Sequence, residues 1–152
     1  MATKKNSTKV KRENGRVVLP EGYQPSADEP FMNEVQLEYF RQKLTNWKAE
    51  ILEATKETIQ HLQDESEKHP DITDRATSES ERALELRTRD RQRKLISKID
   101  EALYRIDQGE YGYCEESGEP IGVARLDARP IATLSLEAQE RHEKRERVFR
   151  DS

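Results

Sequence analysis

Residues 70–76 read Pro-Asp-Ile-Thr-Asp-Arg-Ala, and this short acidic turn separates two long segments with helical periodicity. Proline disfavours the helical conformation in the residue before it, so the first helix should end before Pro70. Threonine and aspartate are common at helix N-termini, so the second helix should begin near Thr73 or Asp74. The turn therefore predicts a helical hairpin whose tip carries the carboxylates of Asp71 and Asp74.

Each predicted arm has one narrow apolar stripe. In the first arm, with Asn33 as its expected N-cap, apolar residues recur at steps of three and four, the heptad pattern of a coiled coil. The stripe residues are Leu37, Phe40, Leu44, Trp47 and Ile51 in the first arm and Leu84, Leu95, Ile99, Leu103 and Ile106 in the second. Leu37 with Ile106 and Ile59 with Leu84 have the same index sum, 143, as an antiparallel hairpin requires. The second arm should end at Gly109.

The composition restricts the class of protein. Only 32% of the 152 residues are hydrophobic and 38% are charged, which suits a two-helix seam better than a thick core. The net charge of -4 offers no strong attraction to nucleic acid, so we expect no direct sequence-specific DNA binding. No apolar run approaches the roughly 18 residues of a membrane span, so we expect no membrane contact. One cysteine excludes an internal disulfide and favours a cytoplasmic protein, which we expect to be a monomer.

These patterns predict an all-α fold in which a long antiparallel coiled-coil hairpin stands on a small zinc-finger-like base and precedes a C-terminal helix. The expected regions are a flexible basic N-terminal tail at residues 1–30, the hairpin at 31–110 with its tip near 70–76, a degenerate zinc-finger-like region at 111–136, and the C-terminal helix at 137–152. The C-terminal helix is expected to lie against the hairpin base through Val148 and Phe149.

Two basic stretches have more than one interpretation. Residues 87–94 contain five basic residues, one acid and no apolar residue. They form either a solvated helix face or a docking surface for an acidic partner. The basic residues of the N-terminal tail indicate a solubilising segment, with nonspecific phosphate contact as the alternative.

Positions 114, 117, 135 and 138 have the spacing of a four-cysteine zinc site, but only Cys114 is a cysteine. Ser117 and Ser135 are poor zinc ligands, Ala138 has no ligand atom, and His142 would add only one nitrogen, so bound zinc is not expected. Cys114 is either a small packed residue or a redox-responsive thiol. The acidic neighbours at 115 and 116 should disfavour its thiolate.

Five stretches resemble the DksA family: residues 71–76, 85–91, 111–114, 121–122 and 125–130. The resemblance covers about residues 31–150, and the spacing between the stretches makes it specific. It implies a bacterial transcription factor that binds RNA polymerase through the secondary channel. It also implies joint action with the alarmone guanosine tetraphosphate on initiation, in the stringent response, and no enzymatic activity of its own.

The resemblance assigns roles to individual residues. These are Asp71, Asp74 and Ala76 in the tip that faces the polymerase active site; Arg87, Arg91 and Arg125 in polymerase docking; and Leu95, Lys98 and Arg129 in an alarmone site shared with polymerase. The chain departs from the family at the zinc cysteines and at Gln139, which replaces a basic residue of the alarmone site. Loss of that charge would weaken alarmone coupling unless Arg141 substitutes for it.

Two other functions stay open. One is a transcript-cleavage accessory factor of the Gre type, which also presents acids on a coiled-coil tip, and the other is a structural coiled-coil adaptor. The tip acids also have a plain structural interpretation, with Asp74 as a helix N-cap and Asp71 within the turn. His61, His69 and His142 are scattered without an obvious nucleophile partner, so the sequence contains no recognisable catalytic set.

Overall fold

In a computed structural model, two long helices form a hairpin on a small base. The structure describes residues 10–68 and 72–151, with side chains described throughout except at 65–68 and 72–78. The elements in chain order are β1 (Arg12–Glu13), β2 (Arg16–Val17), α1 (Glu34–Lys68), α2 (Ile72–Asp107), α3 (Val123–Ala128) and α4 (Leu136–Asp151). Helices α1 and α2 pack against each other, so the predicted helical hairpin is confirmed.

The ends of the long helices follow the local sequence signals. Oδ1 of Asn33 accepts a hydrogen bond from the backbone N–H of Gln36 at 2.9 Å, which confirms the predicted N-cap. Helix α1 ends at Lys68, before Pro70, as expected. Helix α2 ends at Asp107, and Gly109 follows at a φ of 74°, the left-handed conformation that commonly terminates helices.

The hairpin is best packed next to the base. Phe40, Leu44 and Ile99 have no exposed surface, and Ile51 and Ala102 are also buried. Full burial of one large apolar side chain contributes about 1.5–3 kcal/mol, so these few residues supply much of the stability of the hairpin. The remaining predicted stripe residues of this part are half-buried around them; they are Leu37, Trp47, Leu95, Leu103 and Ile106.

Polar contacts between the arms report on the helix register. They join Lys48 to Asp100 at 2.7 Å, Thr55 to Gln92 at 3.0 Å and His61 to Glu85 at 3.1 Å. Their index sums of 148, 147 and 146 exceed the predicted 143. Helical side chains lean toward the N-terminus of their own helix. In an antiparallel pair, two residues whose side-chain ends meet therefore have a larger index sum than two residues whose Cα atoms lie level along the hairpin axis. The excess therefore has the sign expected for the predicted register.

Leu84 was wrongly assigned to the seam. Its side chain is 62% exposed, whereas the Oε2 atom of the neighbouring Glu85 is buried and accepts no hydrogen bond. A straight α-helix drifts by about 20° per heptad relative to a strict seven-residue repeat. This drift moves the inward position from 84 to 85 at this distance from the base.

The base is a compact apolar cluster that continues the hairpin core. The Tyr111 ring lies 5.6 Å from the Phe40 ring, and its hydroxyl donates to the carbonyl oxygen of Pro130 at 2.8 Å. The other buried members of the cluster are Cys114, Ile121, Val123, Leu126 and Ala138. The base therefore folds around side chains from both α3 and the start of α4.

Helix α4 corrects a second expectation. Its only buried residue is Ala138, near its start. Val148 is 69% exposed and Phe149 is 79% exposed, so these two residues do not anchor the helix to the hairpin base as predicted. Residues 140–151 are exposed throughout because the apolar cluster of the base ends within the first turn of the helix.

Residues 10–33 have more local structure than a tail. Strands β1 and β2 pair around Asn14 and Gly15, whose φ values of 51° and 77° suit the tight turn of a two-residue β-hairpin. Arg12 forms an ion pair with Glu34 at 2.6 Å, which joins this hairpin to the start of α1. Residues 1–9 lie outside the described part, and the assignment of residues 1–30 to a flexible tail stays a prediction.

Candidate functional site

The predicted tip lies mostly beyond the described residues. Asp71 lies outside them, and Asp74 and Ala76 lie in α2 with side chains that are also outside the description. Their roles therefore stay predictions. Helix α1 has 35 residues, so at about 1.5 Å per residue it is about 50 Å long.

Four of the predicted site residues share one face of α2. Arg87, Arg91, Leu95 and Lys98 follow one another at steps of four, four and three, which places them within about 80° on a helix and over about 17 Å. Arg87, Arg91 and Lys98 are exposed, and Leu95 packs partly against the hairpin core. We call the three exposed cations the α2 basic stripe. It presents positive charge in a row, as an acidic protein surface or a phosphate would require.

Of the other two predicted arginines, Arg125 lies within α3 and Arg129 directly follows its C-terminal end. Arg125 is half-buried and donates from Nε to the carbonyl oxygen of Leu134 at 3.1 Å, and Arg129 is exposed. An open groove of about 640 Å³ runs beside them. Its lining consists of Ala27, Ile121, Gly122, Val123, Ala124, Ala128, Leu136 and the two arginines. The groove therefore combines an apolar floor with two cations and contains no acid.

A polar cluster on the opposite side of α3 joins it to α1. Oδ1 of Asp127 accepts hydrogen bonds from the Tyr39 hydroxyl and from Nζ of Lys43, each at 2.7 Å. Lys43 Nζ also donates to the Asp127 carbonyl oxygen at 2.7 Å and lies 5.7 Å from the centre of the Tyr39 ring. We call Tyr39, Lys43 and Asp127 the α1–α3 clamp.

Hydrogen bonds from Lys43 and Tyr39 lower the pKa of Asp127, so this carboxylate stays ionised. Burial and the hydrogen bond to Asp127 raise the pKa of Tyr39 to about 12. Tyr39 and Lys43 were not among the residues predicted from the sequence. Their i, i+4 spacing on α1 was visible, but nothing local indicated that α3 would lie beside them.

The predicted alarmone residues lie on two different elements. Leu95 and Lys98 belong to α2, and neither lines the groove beside Arg129. Gln139 donates from Nε2 to Oε1 of Glu143 at 3.3 Å, so an amide stands where the family resemblance implies a cation. Arg141, the predicted substitute, is exposed. An alarmone site here would need a partner to complete it, as the resemblance implies.

The surroundings of Cys114 resemble a metal-binding turn without the metal ligands. The side chain is only 3% exposed. Burial raises the pKa of the Cys114 thiol. Hydrogen bonds from the Ser117 hydroxyl and from the backbone N–H groups of Ser135, Ser117 and Glu116 outweigh burial and lower that pKa to about 6. The expectation that the acidic neighbours disfavour the thiolate is therefore wrong, because donors within the turn dominate.

Zinc does not fit this set of residues. Positions 117, 135 and 138 supply two hydroxyls and a methyl group, which cannot complete a tetrahedral zinc site with one thiolate. Among the described side chains, no group of three or more histidine, cysteine, aspartate or glutamate residues is arranged to hold a metal ion. No described helix has the length and apolarity needed to cross a membrane.

Comparisons with known proteins agree with the geometry. Residues 36–106 match the family model described as "DnaK suppressor protein DksA, N-terminal domain". Residues 109–144 match the model described as "Prokaryotic dksA/traR C4-type zinc finger". The second match spans Cys114 and the three positions that lack cysteine, so the fold of the finger is recognisable although its ligand set is incomplete.

The relatives cover most of the chain. It is 71% identical over 129 residues to the RNA polymerase-binding transcription factor DksA of Caulobacter vibrioides, which covers 85% of this chain and 91% of that protein. It is 44% identical over 127 residues to the protein of the same name in Escherichia coli, covering 84% of each. The structure of transcription factor DksA2 from Pseudomonas aeruginosa superimposes with a TM-score of 0.73 at 45% identity, over 82% of this chain and 94% of that one. The chain belongs to the DksA family.

Proposed function

We propose that this chain is a transcription regulator that binds RNA polymerase and does not itself catalyse a reaction. The observation that carries the proposal is the 71% identity, over 85% of the chain, to a relative named for RNA polymerase binding. The hairpin suits this role because it carries a small acidic group far from the base on two packed helices. We further propose that the protein acts as a cytoplasmic monomer without sequence-specific DNA contact.

The proposed mode of binding is insertion of the hairpin into the polymerase secondary channel. In this mode Arg87 and Arg91 of the α2 basic stripe and Arg125 dock on acidic polymerase surfaces, while Asp71, Asp74 and Ala76 act near the polymerase active site. Support comes from the exposure of Arg87, Arg91 and Lys98 on one helix face. A charge row of this kind strengthens association and makes it sensitive to salt.

Binding can be tested with fluorescently labelled chain and a bacterial RNA polymerase holoenzyme. The variant Arg87→Glu/Arg91→Glu is expected to bind more than about tenfold more weakly, because two cations become anions at the proposed interface. Arg89→Glu/Arg93→Glu is the matched control, since Arg89 and Arg93 are exposed but lie about 200° and 240° around α2 from Arg87. Equal loss in both variants would show that general charge, and not the stripe, controls binding.

The tip requires a separate test, because docking and regulation are distinct steps. In transcription from a ribosomal promoter, Asp74→Asn should abolish inhibition while polymerase binding persists. Persistent inhibition would refute the proposed role of the tip. The same reactions with stalled complexes measure RNA cleavage, and strong cleavage would replace this proposal with the Gre-like alternative.

We also propose that guanosine tetraphosphate binds between this chain and polymerase, with Leu95, Lys98 and Arg129 as its contacts on this side. Support comes from the exposed cations Lys98 and Arg129, which are suitable phosphate ligands. Lys98→Ala should reduce the effect of the alarmone on transcription, and Gln139→Lys should increase it by adding a cation. An unchanged alarmone response in both variants would argue against this site.

A further inference from the structure

The orientation of α3 is not determined by its own ends. The helix has six residues, Gly122 before it provides no side-chain cap, and Arg129 after it is non-helical. Val123 and Leu126 are buried and attach one side of the helix to the base. Apolar burial is not directional, so these two residues hold α3 in place without closely defining its rotation.

The charged side chains of α3 point in two opposite directions. At about 100° per residue, Arg125 and Arg129 lie about 40° apart, and Asp127 lies about 160° from each of them. The α1–α3 clamp holds the Asp127 face through three hydrogen bonds of 2.7 Å from Tyr39 and Lys43. Hydrogen bonds to an ionised carboxylate are strong and require defined geometry, so the clamp constrains the rotation that the apolar contacts leave free.

Helix α1 carries both the clamp and one arm of the hairpin. Tyr39 and Lys43 flank Phe40 and Leu44, which are fully buried in the seam, so the clamp donors have a fixed position relative to the hairpin axis. Rotation of α3 about its own axis would therefore move the two arginines relative to the α2 basic stripe.

We propose that Asp127, held by Tyr39 and Lys43, is a positioning residue that orients Arg125 and Arg129 relative to the hairpin, so that these two arginines and the α2 basic stripe meet polymerase and the shared alarmone site together. This inference rests on the proposed function. It predicts that the three residues of the α1–α3 clamp affect polymerase affinity although they face away from the docking surface.

The test is a mutant cycle on polymerase binding by the full chain. Asp127→Asn should weaken binding by about threefold to tenfold, which lies in the lower part of the range that couplings between contacting groups produce. The same substitution in the Arg125→Ala/Arg129→Ala background should have no further effect, because the groups that it positions are absent. Tyr39→Phe removes one hydrogen bond while it keeps the ring, and it should show a smaller loss with the same dependence on the arginines. Asp127→Glu should recover part of the affinity.

Asp100→Asn is the matched control. It breaks an ion pair with Lys48 of the same 2.7 Å length and comparable exposure, but one that joins α1 to α2 and does not touch α3. We expect this control to leave polymerase affinity within twofold of wild type.

The outcomes separate the inference from the proposed function. If wild type does not bind polymerase, both are overturned. If the arginine pair matters but Asp127→Asn and Tyr39→Phe leave affinity unchanged, only the positioning inference fails. It also fails if Asp127→Asn weakens binding equally with and without the arginines, since the residue would then act through general stability.

Discussion

Replacement of Gln36 by leucine should loosen the segment before α1. Gln36 has no exposed surface and makes three side-chain hydrogen bonds. Its Oε1 accepts from the backbone N–H of Met32 at 2.8 Å, and its Nε2 donates to the Ser26 carbonyl oxygen at 3.2 Å and to Oε2 of Glu29 at 3.1 Å. Leucine has a similar volume but can make none of these bonds, so the partly buried partners of Gln36 lose them.

The magnitude follows from those three bonds. Two neutral hydrogen bonds contribute about 1 kcal/mol each, and the bond to a carboxylate contributes about 1.5–3 kcal/mol. Burial of the leucine side chain returns about 1.5–3 kcal/mol, so at the middle of these ranges the net loss should be about 2 kcal/mol. For a chain of this size, 1 kcal/mol corresponds to about 2–4 °C, and Tm should fall by about 4–8 °C.

The assay is thermal unfolding combined with hydrogen exchange. Exchange should become faster in residues 23–33, because Gln36 makes three hydrogen bonds from α1 to this segment. Gln42→Leu serves as the control and should cost less, since Gln42 makes one side-chain hydrogen bond, at 3.1 Å to Glu38, and the Glu38 carboxylate keeps its hydrogen bonds from Arg41. A Tm for Gln36→Leu within 1 °C of wild type, or no faster exchange in residues 23–33, would refute this reasoning.

Three further predictions concern titration and packing. The Cys114 thiol should ionise near pH 6, measured by thiolate absorbance with Cys114→Ala as the blank. The contribution of this thiolate to folding stability is fully present above the ordinary thiol pKa and is lost as the pH falls toward 6. Ionisation near pH 9 would contradict the hydrogen-bonded turn. Because the pKa of Tyr39 is raised to about 12, the unfolded chain ionises first, so stability should decline from about pH 10 to about pH 12. Tyr39→Phe should remove that part of the decline, and an identical alkaline profile for wild type and variant would exclude it. Glu85→Leu should raise Tm by about 2–4 °C, since it replaces a buried carboxylate oxygen that has no hydrogen bond with an apolar side chain. A lower Tm would show that the contact between Glu85 and His61 stabilises the fold more than the burial of leucine does.

The hairpin was predictable because its determinants are local. Asn33 caps α1 through a bond to a residue three positions later, and Pro70 ends the helical region in its immediate neighbourhood. The heptad pattern places Phe40, Leu44 and Ile99 on the buried stripe without knowledge of any other part of the chain. Within the hairpin, the heptad pattern failed at Leu84. There the angular drift from a strict seven-residue repeat has accumulated over several turns, so Glu85 points inward instead.

The candidate site was predictable in part. The residues of the α2 basic stripe share one face because helical periodicity requires it, so their common exposure could be expected from spacing alone. The tip roles came from the family resemblance and stay predictions. The thiol at position 114 shows the limit of local charge reasoning, because two adjacent acids predicted a disfavoured thiolate. Backbone donors brought in by the turn, including one from Ser135, reverse that result.

By itself the sequence determined the two helices, their antiparallel pairing and the side of α2 that carries positive charge. Each of these depends on propensity, capping and periodicity over a few residues. The tertiary structure decided how the base is built and how α3 is oriented. Tyr39 and Asp127 are 88 positions apart, and Tyr111 and Pro130 are 19 apart, so no periodicity relates them. Such contacts depend on which surfaces remain to be buried once the hairpin has formed.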